Sequence, residues 1–493
     1  MRERVTFIYP KDSQGEAELD IHESGLIGPQ AFLARQDRFT IGLDELPNEI
    51  GHVLNRFLHL EIRWGTSSRY ESLDPFASRI SPGLHVHATP TGQGVDEFEP
   101  TKICLLLQAF ADFKCLSPEN WTVSKDKQSM NIYHPVKDLE GFVLKATDFC
   151  PELDSNCIAR VRGLLNAASI DFTYDQANQA LKVTALWPLS EQKVAVPASE
   201  LRRTEVGILS EASPPNMDLH NIGLGGRLTI LGVDKKDPEP TLFNFPSRHR
   251  PGNSHFSITF PEPTGLHPIM QLKLSSSEAP SAGDDCKPYA YLSLPKAIFA
   301  DRYQLDDSLF MASKNLSSLE YSSSPVDLEA PAYTMDVWGS NILVQLARPP
   351  TDKSQQWTAE IPLHLRYLEP SASGERQVDV PYPAVFWACR ADDQSEHINP
   401  FDRTKLGYDD HFSRNTIFWH VEPQPGADDS TFHAITVPVL KEQASPYVGI
   451  GTAAVIAAGF AWVLWKLIGV YGATSHGASS QKVAADAKAK KNN

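Results

Sequence analysis

The organisation of the chain is decided by Pro446-Tyr-Val-Gly-Ile-Gly-Thr-Ala-Ala-Val-Ile-Ala-Ala-Gly-Phe-Ala-Trp-Val-Leu-Trp465, a run without a single charge. Carried past Lys466 to Val470 it reaches about 24 residues, which at ~1.5 Å per helical residue crosses ~30 Å of hydrocarbon. A core helix of a soluble domain has no need of this length, so the run predicts one transmembrane helix over 447–470. Tyr447 and Tyr471 mark its ends as interfacial aromatics do, and Lys466 can snorkel to the nearer surface. Gly449, Ala453, Ala457 and Ala461 recur every four residues. They place a small-residue stripe on one face, where a second membrane helix can approach closely; an Ala/Gly-rich span also produces such a register by accident.

Orientation follows from flanking charge. Lys482, Lys488, Lys490 and Lys491 follow the span against one acid, Asp486, while Lys441 and Glu442 before it cancel. The positive-inside rule puts the tail 471–493 in the cytosol and residues 1–445 across the membrane. The ending Lys490-Lys491-Asn492-Asn493 resembles the dilysine retrieval signal of endoplasmic-reticulum membrane proteins, which is read in the cytosol. The expected location is therefore the endoplasmic-reticulum membrane, single-pass, with a lumenal N-terminal part. Two sequons, Asn120-Trp-Thr122 and Asn315-Leu-Ser317, fall in that part and are glycosylation candidates. Two is near chance for this length, so they permit the topology without requiring it. Met1–Pro10 lacks an apolar run long enough for a signal-peptide core. That absence motivates a competing tail-anchored arrangement, in which the lysines would lie on the wrong side.

The 493 residues are 22 % charged and 41 % hydrophobic, a globular composition with room for two or three domains. A net charge of -16 argues against a nucleic-acid partner, which needs a basic face. The six cysteines, Cys104, Cys115, Cys150, Cys157, Cys286 and Cys389, fit either disulfides in an oxidising lumen or core thiols. Residues 1–215 read as a mixed α/β region. Asn48–Leu60 and Ser155–Ala168 have helical patterns, Asn120–His134 and Leu181–Leu189 alternate as strands, and Glu211-Ala-Ser-Pro-Pro215 has linker composition. From 220 to 440 short apolar runs recur, separated by Pro, Gly, Ser and Asp: Arg227–Val233, Phe256–Phe260, Ile269–Leu274, Tyr289–Leu294, Asn341–Leu346, Glu360–Tyr367, Ala384–Ala388 and Asn415–Val421. Their spacing predicts a mainly β fold, a β-sandwich or partly closed barrel. Ser275–Ser281 and Ser317–Ser324 read as exposed loops.

Signatures of catalysis are missing. The chain has no Gly-x-Ser-x-Gly, His-Glu-x-x-His, Cys-x-x-Cys or P-loop, and Gly223, Gly225 and Gly226 complete no dinucleotide fingerprint but suit a turn before Arg227. His85 and His87 would share one face of a strand, a spacing metals accept, yet no third ligand is evident and surface histidines are the plainer reading. Asp392-Asp393 and Asp409-Asp410 read as solvated loops. No catalytic, cofactor-binding or metal-binding residue is assigned, and no cofactor is expected.

Several phrases between about 225 and 470 resemble the PIG-X family, whose fungal members are called protease B non-derepressible protein. They are Pro288-Tyr-Ala-Tyr-Leu-Ser-Leu-Pro295 with Phe299-Ala-Asp-Arg-Tyr303; Asp327-Leu-Glu-Ala-Pro331 with Trp338-Gly-Ser340; Ile361-Pro-Leu-His-Leu-Arg-Tyr367 with Val380-Pro-Tyr-Pro383 and Phe386-Trp-Ala-Cys389; and Asn399-Pro-Phe-Asp-Arg403 with Leu406-Gly-Tyr408. Residues 1 to about 215 match the longer fungal members in general arrangement only. The resemblance implies a non-catalytic, stabilising subunit of GPI mannosyltransferase I, which adds the first mannose to the GPI-anchor precursor. The implied partner is a multispanning, PIG-M-like catalytic subunit. Within the matched region Cys286 and Cys389 are a possible disulfide, although spacing alone does not fix connectivity. His364 and Arg366 would share one face of a half-buried strand, either partner-facing or simply solvated. Trp338 and Trp387 are expected in the core, and Pro381 and Pro383 at an edge or turn. The alternatives to this reading are a lumenal chaperone or quality-control factor acting without a transferase, and a lumenal hydrolase with an unrecognised site.

Overall fold

The computed structural model describes residues 1–475 apart from 12–18, 23, 93–97, 152–153, 201, 213–216, 218–220, 263, 277, 281–284, 324–325, 351–356, 392–398 and 427. The fold is mainly strand, 45 % against 19 % helix, with a nearly closed, barrel-like sheet, as the recurrent short apolar runs require. The chain divides into a large unit, residues 1–367 and 377–435, and a small one, residues 368–376 and 436–493.

The large unit holds two main sheets. The first has 12 strands. Arg2–Tyr9 runs antiparallel to Gly25–Gly42 and parallel to Arg203–Glu211. The two 18-residue strands, Gly25–Gly42 and Ala180–Pro197, pair along their length with two register shifts. Such bulges increase local twist, and curling is how a sheet this wide buries its own inner face. The helices Asn48–Leu54, Thr101–Leu107 and Glu140–Thr147 cover one face at Phe57–Gly65, Gly83–Pro90 and Met130–His134. There Leu60, Trp64, Leu84, Val86 and Ile132 join Leu54, Leu107 and Val143 in one buried cluster. The period of two on these strands sends Glu61, Arg63, His85 and His87 to the other face.

The second sheet has eight strands, in the spatial order Leu316–Ser322, Gly339–Leu346, Lys287–Pro295, Ala384–Arg390, Thr416–Pro423, His249–Thr259, Ile269–Leu274 and Thr358–Pro362. All eight apolar runs noted in the sequence lie on or largely within strands. Trp338 and Trp387 are buried, and Pro381 closes the strand Glu375–Pro381.

Five local readings are corrected. The helix at Asn48 ends at Leu54, and Phe57 already begins a strand. The serine-rich segment at 317 is the edge strand Leu316–Ser322, irregular in register but paired to Gly339–Leu346. The three glycines near 225 lie inside the strand Asn221–Gly232 rather than in a turn before it. Gly226 there has φ 155, and a Cβ would sit 2.1 Å from the Ile208 carbonyl oxygen, so close backbone approach is what the glycine permits. The change of sheet falls at Ser247–Arg248 instead of 215–220, because Asn221–Gly232 and Lys236–Pro246 extend the first sheet. Asp409, expected in solvent, is 2 % exposed; its carboxylate accepts from the backbone N–H of Lys405 at 3.0 Å and Leu406 at 2.7 Å. Asp392-Asp393 and residues 213–215 of the suggested linker lie outside the described residues.

The segment 399–409, between Ala384–Arg390 and Thr416–Pro423, bonds to both sheets. Arg403 Nη2 donates to Asp171 Oδ1 at 2.7 Å, the Tyr408 hydroxyl to the Arg79 carbonyl at 3.0 Å, and Arg63 Nη1 to the Lys405 carbonyl at 2.8 Å. Arg248 Nη2 donates to the Asp409 carbonyl at 2.9 Å. Arg403 and Asp171 are largely withdrawn from solvent, and Asp171 has a second cation nearby, Arg63 Nε at 3.7 Å. Replacing Arg403 by Met leaves Asp171 only the longer Arg63 contact, and the expected loss is about 3 kcal/mol of unfolding free energy. Chemical denaturation of the full chain in detergent checks this. The double variant Arg403→Met, Asp171→Leu should recover part of the loss, and a single-variant cost below about 1 kcal/mol contradicts the account.

Candidate functional site: an apolar helix and a polar cleft

Within the small unit, Ser371 N–H donates to the Leu440 carbonyl at 3.1 Å, and Glu442 N–H returns to the Ser371 carbonyl at 3.1 Å. A 3-10 turn, Glu442–Ala444, leads from this clasp into the helix Ser445–Ser475. At 31 residues the helix is about 46 Å long, beyond the ~30 Å a hydrocarbon core demands. It is the one helix among the described residues long and apolar enough to cross a membrane, and none of it is buried inside the chain. Val455, Ile456, Phe460, Trp462 and Ile468 are each more than half exposed around its circumference. A helix apolar on every side has no favourable state in water and belongs in lipid or against other membrane helices. Lys466, its one charged residue, holds its ammonium 4.9 Å from the Trp462 ring centroid. Gly449, Ala453, Ala457 and Ala461 all lie on exposed helix surface, and nothing approaches the Gly449 Cα face within 4 Å. Lys490 and Lys491 lie outside the described residues.

The six cysteines are joined as Cys104–Cys115, Cys150–Cys157 and Cys286–Cys389. The last pair follows from strand register. Lys287 faces Ala388 across antiparallel strands, which sets Cys286 opposite Cys389 with Cα atoms 4.1 Å apart.

The two sequons have opposite environments. Asn120 is 5 % exposed; its Nδ2, the atom a glycan would occupy, donates to the Asp336 carbonyl at 2.9 Å. Its Oδ1 accepts from Ser117 N–H at 3.0 Å. This corrects the candidacy of Asn120, because a glycan cannot be accommodated inside that packing. Asn315 is exposed at a left-handed turn, φ 55, with one bond to give up, Nδ2 to the Thr358 carbonyl at 2.8 Å. The His364 and Arg366 face also divides. Arg366 is 4 % exposed, donates to the Ala330 carbonyl at 2.9 Å and lies over the Phe299 ring, while the neighbouring Tyr367 is the exposed residue. The strand ends at Leu365, so alternation no longer governs these positions.

His85 and His87 do share one face, but not an open surface. They line a cleft of about 620 Å³ between the two sheets. Cross-strand register makes its floor from two polar rows, Arg63–His85–Tyr133 and Glu61–His87–Asn131. Tyr291, Tyr321 and Asn341 of the second sheet, with residues 405–407, 410 and 411, form the opposing wall. Burial pushes both histidines down to about 4, so they are neutral near pH 7. His85 Nε2 is 2.7 Å from the Ser81 carbonyl, which fixes the proton there. No group of three His, Cys, Asp or Glu among the described residues is arranged to hold a metal. The floor was missed in the sequence, although one signal was available. Leu60–Trp64, Leu84–Ala88 and Met130–Tyr133 each alternate apolar with polar residues, and their polar positions form this surface.

With the chain glycosylated in its native compartment, a glycosidase-sensitive mobility shift should vanish in Asn315→Gln and persist in Asn120→Gln. Loss of the shift in Asn120→Gln alone contradicts the assignment.

Comparison with known proteins agrees with the resemblance read in the phrases above. The family model described as PIG-X / PBN1 matches residues 263–468. Protein PBN1 of Gibberella zeae is 50 % identical over 476 residues, covering 95 % of this chain and 96 % of that protein. Protein pbn1 of Neurospora crassa is 44 % identical over 502 residues, the whole of both chains, and that of Aspergillus fumigatus 37 % over 492 residues and 95 % of each. These likenesses include the first sheet, which lies ahead of the family-model match. The chain belongs to the PIG-X / PBN1 family, and its role lies in GPI-anchor biosynthesis.

Proposed function

We propose that this chain is a non-catalytic, stabilising subunit of the GPI mannosyltransferase I complex, which adds the first mannose during GPI-anchor biosynthesis. It sits in the endoplasmic-reticulum membrane with the sheets in the lumen and the lysine-rich tail in the cytosol. The partner is a PIG-M-like multispanning subunit that carries the catalysis. The observation that carries this reading is the 31-residue helix, apolar on all sides and with none of it buried inside the chain. A lone span of this kind finds its protein contacts in another polypeptide, and the stripe from Gly449 to Ala461 is the face that admits close approach. Two further features support the topology. Disulfides persist in an oxidising compartment such as the lumen, and all six cysteines are paired. The lysines beyond residue 481 satisfy the positive-inside rule when cytosolic.

The test is co-purification with the multispanning mannosyltransferase subunit. Ala453→Leu with Ala457→Leu should reduce recovery of that subunit at least fivefold and lower first-mannose addition in parallel. Ala454→Leu with Ala458→Leu, on a face about 100° away, should leave both near wild type. Equal recovery with both pairs, or a heterogeneous client set in place of one multispanning protein, contradicts the proposal; the second result favours a quality-control role.

A further inference from the structure

We propose that the cleft between the two sheets is a binding site for a neutral oligosaccharide. This rests on the cleft alone and stands apart from the assignment of a transferase partner.

Where two sheets pack face to face, the covered surfaces normally carry interdigitating apolar side chains. Here the first sheet turns two rows of polar residues inward, and the covering sheet leaves about 620 Å³ above them, within the ~300–1,000 Å³ range of small-molecule sites. Exposed Lys125, Gln128 and His411 line the same cleft, which places its mouth at solvent. Its wall is held rigid. Residues 405–409 are pinned through their backbones by Arg63, Arg248 and the Asp409 carboxylate, so the pocket is preorganised.

Charge selects the ligand class. Four carboxylates and three cationic side chains line the cleft, and several neutralise one another. Glu61 pairs with Arg63, and Lys405 Nζ lies 2.9 Å from Asp410 Oδ2. A phosphate or polyanion would find no net positive field, and an acyl chain would strand the polar floor. Besides the Glu61 and Arg63 atoms held in their ion pair, the hydrogen-bonding capacity of the buried floor and wall includes neutral groups. His87 makes no hydrogen bond among the described residues, and Asn341 Oδ1 is buried without a partner. Neutral imidazole both donates and accepts, and the amide oxygen accepts; together they match the paired donor and acceptor character of sugar hydroxyls. The Tyr321 ring lies 4.2 Å from the His411 ring at the mouth. The two rings cover each other's inner faces, and an outer face of such a pair can receive the C–H side of a pyranose, whose positive edges meet the negative ring face.

The experiment uses the full chain in a detergent without a sugar headgroup. Linear pentasaccharides of mannose, glucose and N-acetylglucosamine are titrated and followed by saturation-transfer NMR, with the thermal midpoint read alongside. At least one pentasaccharide should bind saturably. His87→Ala and Tyr321→Ala should each weaken it at least tenfold with the midpoint unchanged. His411→Ala, at the exposed mouth where folding is not at stake, should weaken it severalfold. Failure of all three sugars to saturate overturns the proposal. So does unchanged affinity in the His411 variant, or inorganic pyrophosphate displacing a bound sugar from the cleft.

Discussion

The two sheets of the large unit depend on one segment, residues 399–409, which bonds to the first sheet, accepts from Arg248 beside the second and packs into the second through Tyr408. Its centre is the Arg403–Asp171 ion pair, sequestered from water and 232 residues apart in sequence. A pair so placed is costly to desolvate and is retained by close hydrogen-bond matching rather than by net attraction. Around it, Tyr408 packs its ring among Tyr291, Phe386 and Phe418 while its hydroxyl reaches the Arg79 carbonyl across the sheets. Trp338 adds a second tie, with its indole N–H 3.1 Å from the Asn131 carbonyl. Part of the same segment lines the cleft, with the Lys405 carbonyl bonded to Arg63 of the polar floor.

The Cys286–Cys389 bond acts on the unfolded chain more than on the folded one. It closes a segment of 103 residues between neighbouring strands whose register already aligns them. In the chain-entropy model a loop of that length is worth about 4–5 kcal/mol. The bond and the membrane helix together suit a domain of an oxidising compartment tethered at the bilayer, which is the setting the proposed function requires.

Much of this was legible in the sequence. The long apolar C-terminal helix and the strands after residue 220 depend on length, period and composition, which are local. The family phrases were legible too, and several of them prove to be joints: Trp338, Arg403 and Tyr408 all bond from the second sheet's part of the chain to the first. What could not be read was set by long-range pairing. The sheet boundary at Ser247 depends on two strands joining Arg203–Glu211, and no linker composition marks it. Burial of Asn120 depends on Asp336, and burial of Asp409 on Arg248. His85 and His87 looked like surface residues because the lid that covers them lies more than 200 residues further along the chain.

The proposed topology puts the two-sheet unit in the lumen and the tail in the cytosol. Protease treatment of sealed microsomes containing the full chain distinguishes it from the opposite orientation. With an epitope at each end, the account predicts a protected fragment that includes residues 1–445 and loss of the C-terminal epitope, with full digestion after the membrane is opened. Digestion of the N-terminal unit in sealed microsomes, with the C-terminal epitope retained inside, would contradict it.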